Sequence, residues 1–249
     1  MLEAGAWGLL GASSLLAGAL IGTRRRAIPT RALGLILGFG AGTLFSAVAF
    51  ELTEDAYNLG GADAVALGLA FGALVYFAGD QVVGRRGGES RMSPHGRRRE
   101  GSPQGADSAS ALLLGAILDG IPESAVIGIS LLGGQQVSVA VLGAVFLSNL
   151  PEAIGSSAGM HKEGIATRHI LLIWLLVVLA SGAAAALGYG LLKGASDNTV
   201  ALIEAFAGGA VLTMLVDVMI PQARTDGGLP VGLATVLGFA LAYLLSTLE

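Results

Sequence analysis

The chain has 249 residues, of which 53% are hydrophobic and only 13% are charged, and it contains no cysteine. A soluble domain carries about 25% charged residues, so a water-soluble globule is excluded, and disulfides, iron–sulfur clusters and cysteine-held zinc are excluded with the thiols. The mean hydropathy of +0.73 is concentrated in long runs, and the placement of the charges says more than their formal net of −4.

Crossing a bilayer as a helix takes about 20 mainly apolar residues. Eight runs meet this, at about 5–22, 32–53, 62–83, 108–132, 136–159, 169–192, 199–222 and 229–247. None alternates every second residue, so helices rather than barrel strands are expected. The fold class expected is all-α and integral to the membrane, one domain of eight transmembrane helices. The abundant Gly, Ala and Ser suit close helix packing in lipid. A pair such as Gly143–Ala144 would serve internal packing or a homodimer equally.

Span 1 begins with Glu3 and lacks a basic leader region, so it reads as a retained span rather than a signal peptide. Arg24, Arg25, Arg26 and Arg31 follow it. Span 2 ends in Glu51, Glu54 and Asp55, which either attract cations at a mouth or mark the water boundary. Asp80 lies toward the other end of span 3. Residues 85–107 form the long break, rich in Arg, Gly, Ser and Pro. It is expected to be disordered, with its arginines anchoring topology near anionic lipid.

Lys162 and Arg168 flank loop 5–6, Arg224 falls in loop 7–8, and Lys193 alone falls in an even-numbered loop. Cytoplasmic loops carry the Lys/Arg excess. The odd loops are therefore expected inside a cell membrane and both termini outside. His95, His161 and His169 lie in or beside cytoplasmic loops and read as solvated. Nothing points to nucleic acid.

The acids at membrane depth carry the functional reading. Asp119 and Glu123 are four apart in span 4 and share a face. Ser148, Asn149 and Glu152 share a face of span 5. An acid at a helix centre costs about 2.5–3.5 kcal/mol on insertion scales, which a bound cation or a proton would offset. Pro122 and Pro151 cannot donate to the carbonyls of Leu118 and Leu147, so each helix should kink and free an oxygen. Such an oxygen-rich set suits divalent cations. In span 7, Asp217 stands four before Pro221 and either lines an exit or snorkels to the interface. Glu204, near the other end of that span, reads as interfacial.

Two internal similarities add to this. Gly38–Ala56 resembles Ala205–Ala223, and Asp119–Ser124 resembles Ser148–Ala153. Each pair lies in spans of opposite direction, the pattern of inverted-repeat transporters that place substrate near the midplane.

At Pro122-Glu123 and Pro151-Glu152 the sequence resembles the ZIP family of divalent-metal transporters, which has eight spans, both termini outside and a variable cytoplasmic loop between spans 3 and 4. The resemblance covers essentially the whole chain. The family motif of span 4 is His-Asn-x-Pro-Glu-Gly. Here Asp119 replaces its histidine, Gly120 its asparagine and Ser124 its glycine, while Ala153 replaces the glycine of span 5. Span 6 offers only Ser181 where some members have a carboxylate. Span 7 keeps Asp217 and Pro221 of a family exit motif.

The resemblance implies an inverted-repeat bundle of ZIP type and metal binding by Asp119, Glu123 and Glu152, with Asn149 contributing and Ser148 and Asp217 nearby. Zinc, iron or manganese would be cargo rather than a resident cofactor, held at one site. The competing readings are carriage of protons or another small cation, and an acid-dependent intramembrane protease built on Asp119 and Asp217.

Overall fold

A computed structural model describes residues 1–24, 28–83, 120, 123–132, 138–162 and 164–247. The loop at 85–107, Asp119 and Pro122 lie outside the described residues. Among those residues every element is helical: α1 (Leu2–Gly22), α2 (Thr30–Ala47), α3 (Thr53–Val83), α4 (123–129), α5 (Val139–Lys162), α6 (Thr167–Leu192), α7 (Asp197–Met214), α8 (Ile220–Gly227) and α9 (Val231–Ser246). Four described stretches are long and apolar enough to cross a membrane, namely Leu2–Gly22, Thr30–Val82, Thr167–Leu192 and Asp197–Gly227, and Val231–Ser246 is apolar but shorter.

Polarity runs inside out. Leu67, Phe71, Leu74, Leu179, Leu233 and Leu237 are all more than half exposed, while Thr43, Ser46, Glu123, Asn149, Glu152 and Glu204 are buried. Water would make such a surface a large aggregating patch. Hydrocarbon makes it the expected one, since backbone groups are satisfied within the helices and polar side chains turn to the bundle interior. The chain is a multi-pass helical membrane protein.

The stretch Thr30–Val82 folds back on itself at Gly61, whose φ of 72° and ψ of −174° break the helix. Only glycine takes such a backbone without strain. Contacts give the directions on either side. Going along α2 and the turn that follows it, Gly40 and then Leu52 meet Met219 and Gly208, so α2 runs antiparallel to α7 and its continuation. Beyond the break, Gly68 and Gly72 meet Ala205 and Ala210 in turn, so the second half of α3 runs parallel to α7. The helix leading into the break reaches Gly60, past the end at 53 that the hydropathy suggests. Glu54 and Asp55 thus occupy its last turns and are exposed.

The remaining helices follow suit. Gly38 and Gly42 of α2 pack on Val231 and Thr235 of α9, a parallel pair. Gly11 and Gly18 of α1 pack on Leu142 and Leu150 of α5, also parallel, whereas Gly5 and Leu9 lie against Ala186 and Gly182 of α6, antiparallel. Small residues at these crossings let backbones touch, which is what drives association where lipid is as apolar as leucine. Neighbours of Gly143 are different, for a Cβ there would meet nothing within 4 Å.

Two π turns interrupt the helices. Val48–Leu52 joins α2 to α3, with the Thr53 N–H donating to the Val48 carbonyl. Leu215–Met219 joins α7 to α8, with the Ile220 N–H donating to the Leu215 carbonyl. In the register that aligns Gly38 with Ala205, Val48 falls opposite Leu215 and Leu52 opposite Met219. The two similar segments therefore carry the same backbone irregularity at the same positions.

Candidate functional site

The face of α5 formed by Ser148, Asn149, Glu152 and Ser156 is buried, at 3%, 4%, 7% and 6% exposure. Two neighbours hold it in the interior. On one side α1 presents Gly18 and Gly22, where an added Cβ would come within 2.6 Å of the Leu150 carbonyl oxygen and 2.5 Å of that of Ile154. On the other side α2 presents Gly40, where a Cβ would lie 3.0 Å from the Ser148 Cα and 3.3 Å from the Met219 methyl. The Ser148 hydroxyl donates to the Val145 carbonyl at 3.0 Å. Pro151 lies inside α5, which continues through it to Lys162.

Glu123 lies in α4 and is 3% exposed. Its helix meets α5 around Gly11 of α1, where a Cβ would touch Ile127 of α4 at 2.9 Å and Leu142 and Val145 of α5 at 3.3 and 3.7 Å. α4 runs with α6, because Gly120 lies near Val177 and Ser181 while Ile129 clusters with Leu192. It therefore runs against α5. Helical rise then gives relative depth. Measured from the Gly11 level, Glu123 lies about 6 Å further in, and Glu152 about 10–15 Å, counted from Val145 or from Leu142. The two glutamates thus lie to the same side of the Gly11 level.

The other predicted residues fall elsewhere. Asp119 lies outside the described residues. Asp217 sits in the second π turn and is exposed, although Leu215 and Met219 beside it are buried. Among the described residues, no three His, Cys, Asp or Glu side chains gather as a ready metal cage. Ser181 of α6 is buried, with its hydroxyl 3.5 Å from where a Cβ on Gly120 would stand. His161 and His169 are exposed.

Sequence reasoning passed over some buried polar groups. Thr43 and Ser46, three apart on α2, are 2% and 1% exposed. Thr43 donates to the Gly40 carbonyl at 2.7 Å, and Ser46 Oγ has no hydrogen-bond partner among the described residues. Their helical spacing was a signal that could have drawn attention to this face. Glu204, read as interfacial, is only 7% exposed.

A helical bundle that turns leucine outward and carboxylates inward is that of a polytopic membrane protein. No family model matches the sequence. It is 28% identical over 175 residues, 68% of this chain, to mouse "Zinc transporter ZIP5", and covers 33% of that protein. It is 24% identical over 220 residues, 86% of this chain, to an Arabidopsis thaliana protein named "Putative zinc transporter", and covers 34% of it. The chain thus spans about a third of the length of these curated relatives. Both matches are modest in identity, and both support the resemblance to the ZIP family carried by Pro122-Glu123 and Pro151-Glu152.

Proposed function

We propose that the protein is a transporter that carries divalent metal cations into the cytoplasm through a carboxylate-rich site between spans 4 and 5. The observation that carries this reading is the burial of Glu123 and Glu152 on two antiparallel helices that both pack on α1 in an apolar bundle. Each acid would cost about 3 kcal/mol to insert without compensation. A cation in transit supplies that compensation. Asp119, Asn149 and Ser148 complete the proposed ligand set, all oxygen donors, and Asp217 stands toward the exit. Such a set accepts zinc, iron and manganese alike. The names of both relatives favour zinc, and neither is named as an enzyme.

The transport cycle would be alternating access in an eight-span, inverted-repeat bundle with both termini outside. The alternating helix directions and the matched π turns support that arrangement. The Lys/Arg-rich odd loops support the orientation in a cell membrane. The test is metal uptake into vesicles reconstituted with the chain. Glu123→Ala and Glu152→Ala should each abolish uptake of zinc, iron and manganese while the protein still inserts. Unchanged uptake in both variants overturns the mechanism.

A further inference from the structure

At the end of the bundle where Gly61 turns the chain, a cavity of about 520 Å³ opens between the helices. It is lined by Asp55 and Asn58 of α3, Asp197 and Glu204 of α7, and Tyr189 and Lys193 at the end of α6. Glu204 is 7% exposed, and its Oε2 has no hydrogen-bond partner among the described residues. Three carboxylates therefore line one cavity, one of them held in by packing. The lone cation of the lining does not neutralise them: Lys193 Nζ stands over the Tyr189 ring, 5.8 Å from its centroid, and no ion pair joins it to these acids among the described residues.

A buried carboxylate with an unmet oxygen needs a proton or a cation. We propose that this cavity is a vestibule that binds a hydrated divalent cation, with Glu204 and Asp55 as its principal anionic partners. The same residues that exclude a dehydrated site define the mode. Among the described residues no three acids converge closely enough to strip the ion, whereas the cavity is roomy enough for an ion with its water shell. Asn58 can hydrogen-bond that shell. Ile129 of α4 also lines the cavity, and Glu123 lies six residues back along the same helix, about 9 Å away by helical rise. The vestibule thus stands one step from the deeper acids. Its role in supplying them rests on the transport reading; its binding of a cation does not.

The test uses Mn²⁺ alone as probe. Binding to the purified full chain is counted from the loss of the free-ion paramagnetic resonance signal, and Mn²⁺ uptake is followed in vesicles. A divalent ion about 6 Å from one carboxylate in water-like surroundings owes it about tenfold in affinity. Glu204→Gln should therefore weaken a low-affinity class of Mn²⁺ sites about tenfold, and raise the Mn²⁺ concentration for half-maximal uptake with little change in maximal rate. Asp55→Asn, at an exposed position that tolerates substitution, should act in the same direction. Lys193→Gln should tighten the class. Glu152→Gln should abolish uptake and leave the low-affinity class in place. Unchanged low-affinity binding in both Glu204→Gln and Asp55→Asn overturns the vestibule. Absence of uptake in the unaltered chain overturns the transport reading instead, and the binding titration still decides the vestibule.

Discussion

Gly42 and Gly209 stand at the same position of the two similar segments, and each lies against a backbone carbonyl of a different partner helix. A Cβ on Gly42 would overlap the Thr235 oxygen of α9, and a Cβ on Gly209 would overlap the Leu69 oxygen of α3. α2 thus uses on α9 the contact that α7 uses on α3. With the paired π turns, the relation extends the sequence similarity of Gly38–Ala56 and Ala205–Ala223 to how each helix packs.

Because the obstacle at both positions is backbone, it cannot swing aside. Gly42→Ala and Gly209→Ala should each lower stability by about 1–3 kcal/mol, the usual cost of overpacking. Gly232→Ala in α9 is the control, since a Cβ there meets nothing within 4 Å. It should be neutral or slightly stabilising. Thermal unfolding of the three variants in one detergent checks the difference.

Trp174 Nε1 donates to Ser157 Oγ at 2.8 Å, tying α6 to α5 in a buried setting. Interhelical hydrogen bonds in membranes average about 0.6 kcal/mol and reach about 1.7. Ser157→Ala should cost about that much. Trp174→Phe should cost more, because packing in the cluster with Leu15 and Ile170 is lost too. In the double variant the hydrogen-bond part should be lost only once, so a double-mutant cycle on unfolding should return a coupling of about 0.5–1.5 kcal/mol.

Much of the helical layout was legible because length and hydropathy decide it. The runs at 5–22, 169–192 and 229–247 correspond to Leu2–Gly22, Thr167–Leu192 and Val231–Ser246. The break between spans 2 and 3 was legible in kind but misplaced at its start. Glu54 and Asp55 look like a water boundary, yet the helix carries them to Gly60, because helical hydrogen bonding does not stop at the first acid. The burial of Ser148, Asn149 and Glu152 followed from one helical face. The burial of Glu204 did not, because it is set by the neighbours α3 and α6, which a single helix cannot reveal. The π turns were equally illegible, since nothing in Val48–Leu52 marks a five-residue hydrogen bond. Asp119 lies outside the described residues.

If the oxygen-only character of the proposed ligand set decides which metal passes, changing one ligand should change the preference. Glu152→His replaces a carboxylate by an imidazole, which suits zinc better than manganese. In vesicles offered both ions, this variant should shift the zinc-to-manganese uptake ratio about tenfold toward zinc. Glu152→Asp keeps the oxygen and should leave the ratio near that of the unaltered chain, even if the rate falls. An unchanged ratio in Glu152→His would remove Glu152 from the metal's path.

The chain has no cysteine, so single thiols report sidedness without background. The helix directions place Asn58 and Ser196 at one end of the bundle, next to the break at Gly61 and the turn between α6 and α7. They place Ala166 and Leu229, in the turns after α5 and α8, at the other end. All four are exposed. An impermeant maleimide added outside cells should therefore label Asn58→Cys and Ser196→Cys, and reach Ala166→Cys and Leu229→Cys only after permeabilisation. Reversed labelling would turn the orientation over and leave the fold intact. Labelling of one member from each pair would break the alternation of helix directions, because no continuous bundle could then carry Asn58 and Ser196 to the same surface.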